Sequence, residues 1–220
     1  MTDRLTVWPK KLGVQTPKTR AKNRNVKFIP EVPKNPPDLE KYGTLFHGSD
    51  TIVDEPEIRL STWPLEFGDG FYTTSDRLQA SEWGINRTKE NSDPWNDDQA
   101  KVRFRSHIPS VSMFKLDVKK ARKELNILVF NYPCPEWLDF LADSFGREQS
   151  KWADIVIGPT ADDNFKDIVK IYREERNKGL NPDPYLYISL LEEGMQTDQI
   201  LFASKRSLKY LKYVGCLVWI

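Results

Sequence analysis

The chain has 220 residues, 39% of them apolar, with seven Trp, eight Tyr and eleven Phe, enough for one sizeable core and incompatible with a wholly disordered polymer. Its net charge is +1, and two cysteines (Cys134, Cys216) beside two histidines (His47, His107) exclude a disulfide scaffold and an all-cysteine zinc site. No apolar run reaches the roughly 18 residues of a membrane-spanning helix, and the start MTDRLTVWPKK carries no apolar leader stretch, so the expectation is a cytoplasmic protein.

Charge is unevenly spread. Residues 1–42 hold ten Lys or Arg against four acids, a net of +6, with six of the fifteen prolines and one glycine, leaving −5 for the remainder. This stretch has neither a helical nor a strand period and reads as a basic, extended N-terminal arm. It is either a solubilising tail or an electrostatic arm for nucleic acid or an acidic partner surface.

The domain proper spans residues 43–220. Thr44 to His47 reads as a strand, closed by a Gly48-Ser49-Asp50 turn. Gly68-Asp69-Gly70 leads into a second strand, Phe71 to Thr74, rich in aromatic and β-branched residues. Ser75 is placed to cap a helix through Gln79, Ala80 and Trp83 that ends at Gly84. Residues 86–110 are polar and read as an exposed excursion, pinned by Trp95 and Phe104. Strands are expected over Val111–Val118 and Leu125–Phe130.

Pro135 suits a first helical position, and Trp137, Leu138, Leu141 and Phe145 form one apolar stripe before Gly146. Ala153 to Ile157 is a strand closed by Gly158-Pro159. Phe165, Ile168, Val169 and Tyr172 have helical spacing, with Asp163 or Asn164 as cap and Gly179 as stop. Asp183 caps a helix opened by Pro184 and carrying Ile188 and Leu191. Gln199 to Ala203 is a strand, and Ser204 caps a last short helix bearing Leu208 and Leu211. Strands and helices mix without βαβ regularity, which argues an α+β fold.

Few residues here carry chemistry by themselves. His47 ends a strand beside Gly48, where a ligand could approach the backbone, yet such a histidine serves equally well as a hydrogen-bonded structural residue. Alternation puts Phe71 and Tyr72 on opposite faces, so one aromatic packs while the other is available to a ligand. Cys134, wedged between prolines, lacks the partners of a nucleophile. Asp162-Asp163 offers a carboxylate pair, although a metal site would show more ligands.

The ordered strings Leu45-Phe46-His47-Gly48-Ser49, Phe67-Gly68-Asp69-Gly70-Phe71-Tyr72-Thr73-Thr74 and Gln79-Ala80-Ser81-Glu82-Trp83 resemble the ADP-ribosyltransferase-like superfamily. They are most similar to an uncharacterised, mainly bacterial family of predicted ADP-ribosyltransferases of toxin type. Glu136–Phe140, Asp154–Asp163 and Asp198–Ser204 continue the match in order over residues 43–213. The resemblance implies a split, strongly bent β-sandwich with NAD, as substrate, in the cleft between its halves. It implies catalytic roles for His47, Tyr72 and Gln199, and NAD contacts from His47, Gly48, Ser49, Gly70, Phe71 and Tyr72. His47 would hold a ribose hydroxyl, the Gly48 backbone the nicotinamide amide, and Tyr72 the nicotinamide ring. Many active transferases have Glu where this chain has Gln199, so slow transfer, a target that brings its own nucleophile, or help from an acid elsewhere such as Asp198 is expected.

The implied activity is mono-ADP-ribosylation of a protein or nucleic-acid acceptor by a toxin or effector, with an antitoxin or acidic partner for the basic arm. A non-catalytic nucleotide- or nucleic-acid-binding module on the same fold, NAD hydrolysis, and phosphate transfer from RNA stay open. No metal is expected.

Overall fold

Strand β1 runs Thr44–Ser49, so Gly48 and Ser49 lie inside the strand and not in the turn that the sequence suggests. In the computed structural model, residues 39–61, 64–92, 107–146, 153–161, 165–191 and 197–218 are described. β1 pairs antiparallel with β3 (Ser110–Leu116), and β3 with β7 (Leu211–Val218), giving a sheet ordered β1-β3-β7. A second sheet, ordered β2-β6-β5-β4, comprises β2 (Phe71–Thr73), β6 (Asp198–Phe202), β5 (Ile155–Pro159) and β4 (Ile127–Val129). Its pairs are antiparallel except β4 with β5. Six helices accompany them: α1 (Arg77–Ser92), α2 (Val118–Glu124), α3 (Pro135–Phe145), α4 (Phe165–Asn177), α5 (Pro184–Leu191) and α6 (Lys205–Leu208). The described residues thus form an α+β fold of two sheets and six α-helices.

The central strands of the second sheet are apolar on both faces, as a strand covered from two sides must be. Ile155, Ile157, Ile200 and Phe202 turn toward the first sheet and pack with Leu45, Phe71 and Phe114. Leu128, Val156 and Leu201 turn the other way, beneath Trp137, Leu138 and Leu141 of α3, Val169 of α4 and Ile188 of α5. Trp137, Leu138 and Leu141 are fully buried, each contributing about 1.5–3 kcal/mol of apolar burial. Leu39 and Tyr42, at the end of the predicted arm, also sit in the inter-sheet core. Residues 1–38 of that arm lie outside the described residues.

Several boundaries depart from the sequence reading. α1 does not stop at Gly84 but continues to Ser92, so the first part of the supposed excursion is helical; 93–106, with Trp95 and Phe104, lie outside the described residues. Gly84 is a contact point: a Cβ there would come within 2.9 Å of the Ser110 carbonyl oxygen and 3.2 Å of that of Ser49. The cap of α1 is Asp76, whose Oδ1 accepts the Leu78 N–H at 2.8 Å, because Ser75 is engaged elsewhere. Val118 opens α2 and is not the end of a strand; Asp117 caps it through the Lys120 N–H at 3.1 Å. Leu211 begins β7 and does not extend the last helix, which ends at Leu208. Other local signals hold: Pro135 opens α3, Asp183 accepts the Tyr185 N–H, and Ser204 accepts that of Ser207.

Candidate functional site along the seam of the two sheets

The sheets meet where β1 passes β2. Phe46 N–H donates to the Thr74 carbonyl and Thr74 N–H to the Phe46 carbonyl, both at 2.9 Å. Through this bridge β1, β2 and β6 lie side by side, so the strands bearing His47, Tyr72 and Gln199 are consecutive neighbours.

His47 sits one residue beyond the bridge. Its Nδ1 lies 2.7 Å from the Tyr72 carbonyl oxygen. A carbonyl only accepts, so Nδ1 carries the hydrogen and Nε2 of the neutral ring keeps the lone pair. Burial lowers the imidazole pKa from 6.5 to about 4, the Tyr72 carbonyl opposing and the charge of Arg59 reinforcing the shift. The ring packs against Phe71 with centroids 4.5 Å apart, and Phe71 in turn meets Phe114 edge-on at 5.6 Å. His47 is thus a neutral acceptor with a buttressed ring.

Gly48 has a different reason to be glycine from the one its neighbourhood suggests. A Cβ would lie 1.8 Å from the Ala80 carbonyl oxygen and 2.8 Å from the Gly84 nitrogen. The side of Gly48 that appears open to a ligand in the sequence is covered by α1. Gly70 is likewise demanded by strand approach, since its Cβ would meet the Phe202 carbonyl oxygen at 2.4 Å.

Tyr72 and Phe71 do point to opposite faces: Phe71 belongs to the inter-sheet core, Tyr72 packs on the helical side. The Tyr72 hydroxyl donates to the Gly68 carbonyl at 2.7 Å and accepts the Phe67 N–H at 3.1 Å. Burial, then the nearby Glu66 charge, raises its pKa well above 10, so it stays protonated. Register aligns Tyr72 with Leu201 and Gln199 with Gly158, and alternation puts Tyr72, Leu201 and Gln199 on one face. Gln199 is only 4% exposed. Its Nε2 donates to Glu66 Oε2, which also accepts the Ala161 N–H at 2.9 Å.

Asp198 is committed. It accepts from the Ser75 N–H at 2.9 Å, the Ser75 hydroxyl at 2.7 Å and the Thr74 hydroxyl at 3.3 Å, tying β6 to the turn that launches α1. Ser49, at the end of β1, is buried and donates to Asp50 at 3.3 Å. Asp50 also receives Asn91 Nδ2 at 2.7 Å and His107 Nδ1 at 2.5 Å. Burial works against its ionisation, but these hydrogen bonds and the His107 charge prevail and hold the carboxyl below its ordinary range.

A cavity of about 350 Å³ opens beside the site, where β4 and β5 end and β6 begins, lined among others by Tyr42, Phe130, Tyr132, Gly158 and Asp198. His47, Tyr72 and Gln199 are not among its lining residues. No cluster of three or more His, Cys, Asp or Glu among the described residues could hold a metal; Asp162 and Asp163 lie outside them. Burial pushes the Cys134 thiol up to about 12, which removes it as a nucleophile. No helix among the described residues is long and apolar enough to cross a membrane.

The family described as "Protein of unknown function (DUF3990)" matches residues 44–213. The chain belongs to this family. Comparison with curated proteins finds no match.

Within this DUF3990 domain, β1 and β2 bring His47 and Tyr72 into contact through the Tyr72 carbonyl, and Tyr72 shares a face with Gln199. The rings of His47 and Tyr72 lie on opposite sides of that strand pair. Sequence reasoning missed Glu66 and Arg59. Glu66 directly precedes the Phe67-Gly68-Asp69-Gly70-Phe71-Tyr72 string, an acid at the edge of the clearest motif, but that stretch has no period to give it a direction. Arg59 is exposed and pairs with Gly70, whose N–H donates to its carbonyl at 3.1 Å.

Proposed function

We propose that this DUF3990 protein is an NAD-dependent mono-ADP-ribosyltransferase on an ADP-ribosyltransferase-like split sandwich, passing ADP-ribose to a macromolecular acceptor as a toxin or effector does. The observation that carries the reading is the state of His47: neutral at pH 7, with Nδ1–H bound to the Tyr72 carbonyl and Nε2 left as an acceptor. That is what holding a ribose hydroxyl requires. The ordered motif set, found on three adjacent strands, supports it further.

The chemistry asks for little acid catalysis. Nicotinamide in NAD is cationic; the C1′–N bond breaks, nicotinamide leaves with the bonding pair as a neutral amide, and C1′ becomes oxocarbenium-like until an acceptor nucleophile attacks. Positioning and electrostatics therefore carry the rate. His47 Nε2 would accept from a ribose hydroxyl on the Phe71 side of the β1–β2 pair. Tyr72, its hydroxyl fixed by Gly68 and Phe67, would offer its ring to nicotinamide on the other side, so that the dinucleotide spans the strand edge, and Arg59 supplies positive charge for the diphosphate. Gln199 keeps an acceptor oxygen for the nicotinamide ribose. Incubation with NAD carrying a labelled adenylate, in lysate, checks this: labelled product and free nicotinamide should appear, and His47→Ala and Tyr72→Ala should lose both. Absence of labelled product together with no calorimetric NAD binding refutes it.

A second reading, a non-catalytic module that binds a nucleotide, is favoured by the neutral, nearly inaccessible Gln199. It predicts NAD binding without release of nicotinamide.

A further inference from the structure

We infer that the acidic group of this site is held by Glu66, and that Glu66 and Gln199 form an exchanged pair in which the carboxylate stands on the loop before β2 and the amide on β6. The inference rests on the transferase reading.

Three observations lead there. The Gln199 amide turns its Nε2 to Glu66, and since a carboxylate only accepts, the orientation is dictated: Oε1 is the end left for an incoming hydroxyl. Glu66 is itself fixed by the Ala161 N–H at 2.9 Å and by its neighbour Phe67. That ring is fully buried between Phe130 and Phe140, with centroids 6.4 and 5.9 Å away, and sits over Gly158, whose Cβ would come within 2.9 Å of it. Finally, the Glu66 charge is felt by the Tyr72 hydroxyl, so one carboxylate borders both the residue assigned to the nicotinamide ring and the one assigned to its ribose.

Glu66 therefore acts as a positioning residue. It orients the Gln199 acceptor and places negative charge behind it, toward the positive charge that develops at C1′. Gln199→Glu alone should therefore not improve the site. Glutamate at that position would abut Glu66, and two carboxyls in contact hold one proton between them with a raised apparent pKa.

The test is a cycle of four full-length proteins: wild type, Glu66→Gln, Gln199→Glu and the double exchange, each read by nicotinamide release from NAD across pH 5–8. Glu66→Gln should lower kcat by about 10²-fold with little change in KM. Gln199→Glu should be most active at the acid end and fall as pH rises and the pair loses its shared proton, a slope absent from wild type. The double exchange should return within about tenfold of wild type and lose that slope. Should Glu66→Gln fail to fold, Glu66→Asp, which keeps the charge but withdraws it by one methylene, should show the same loss of kcat. Wild-type kcat in every folded Glu66 variant, or a double exchange no better than Gln199→Glu, overturns the pair while leaving the transferase reading intact. A wild type that releases no nicotinamide overturns both.

Discussion

Acidification should destabilise this protein in a window set by His47. The imidazole titrates near 6.5 in the unfolded chain and near 4 in the fold, mainly because burial disfavours the cation. A histidine with a lowered folded pKa binds fewer protons folded than unfolded, so stability is complete above about pH 6.5 and falls as pH drops toward 4. A difference of about 2.5 units at about 1.4 kcal/mol each bounds the loss at about 3.5 kcal/mol, a substantial part of the 5–15 kcal/mol typical of a domain. Urea unfolding of wild type and His47→Gln at half-unit steps from pH 7.5 to 4 measures it, and the wild-type excess should shrink by up to that amount. The chain has only two histidines, so NMR resolves His47 directly, and its resonance should not move above pH 5. A midpoint near 6.5, or parallel stability curves, would refute both the burial argument and the neutral-acceptor role built on it.

Two other perturbations probe the frame around the site. Gly48→Ala puts a Cβ 1.8 Å from the Ala80 carbonyl, so α1 must move off β1 at a cost of about 3 kcal/mol or more; thermal melts should show it, and wild-type stability would mean that α1 does not pack there. Asp50, held below its ordinary range by Asn91 and His107 against the effect of burial, contributes stability that is present above the unfolded carboxylate pKa and lost as pH falls through the folded one. Asp50→Asn should thus flatten the stability curve below about pH 4 while leaving the His47 window unchanged, as acid titrations monitored by circular dichroism would record.

What the sequence determined by itself is whatever a few consecutive residues decide. Proline at the first position of α3, the Asp183 and Ser204 caps, and the period of Phe165, Val169 and Tyr172 act within one or two helical turns, and each is seen in the structure. The alternation that sets Gln199 with Leu201 and against Ile200 and Phe202 is equally local, and the two cores divide accordingly. Tertiary structure decided the rest, because the deciding atoms come from far along the chain. Gly84 resembles a helix stop until β1 and β3 are laid against it. Leu211 continues the spacing of Leu208, and only the edge of β3 recruits it into β7. Gly48 looks like room for a ligand, yet the room belongs to α1. The Glu66–Gln199 contact spans 133 residues, and a side chain on an aperiodic loop has no direction until the loop's anchor, Phe67, finds its place between Phe130 and Phe140. Local spacing can nominate a residue type for a site; which carboxylate arrives there is settled by packing.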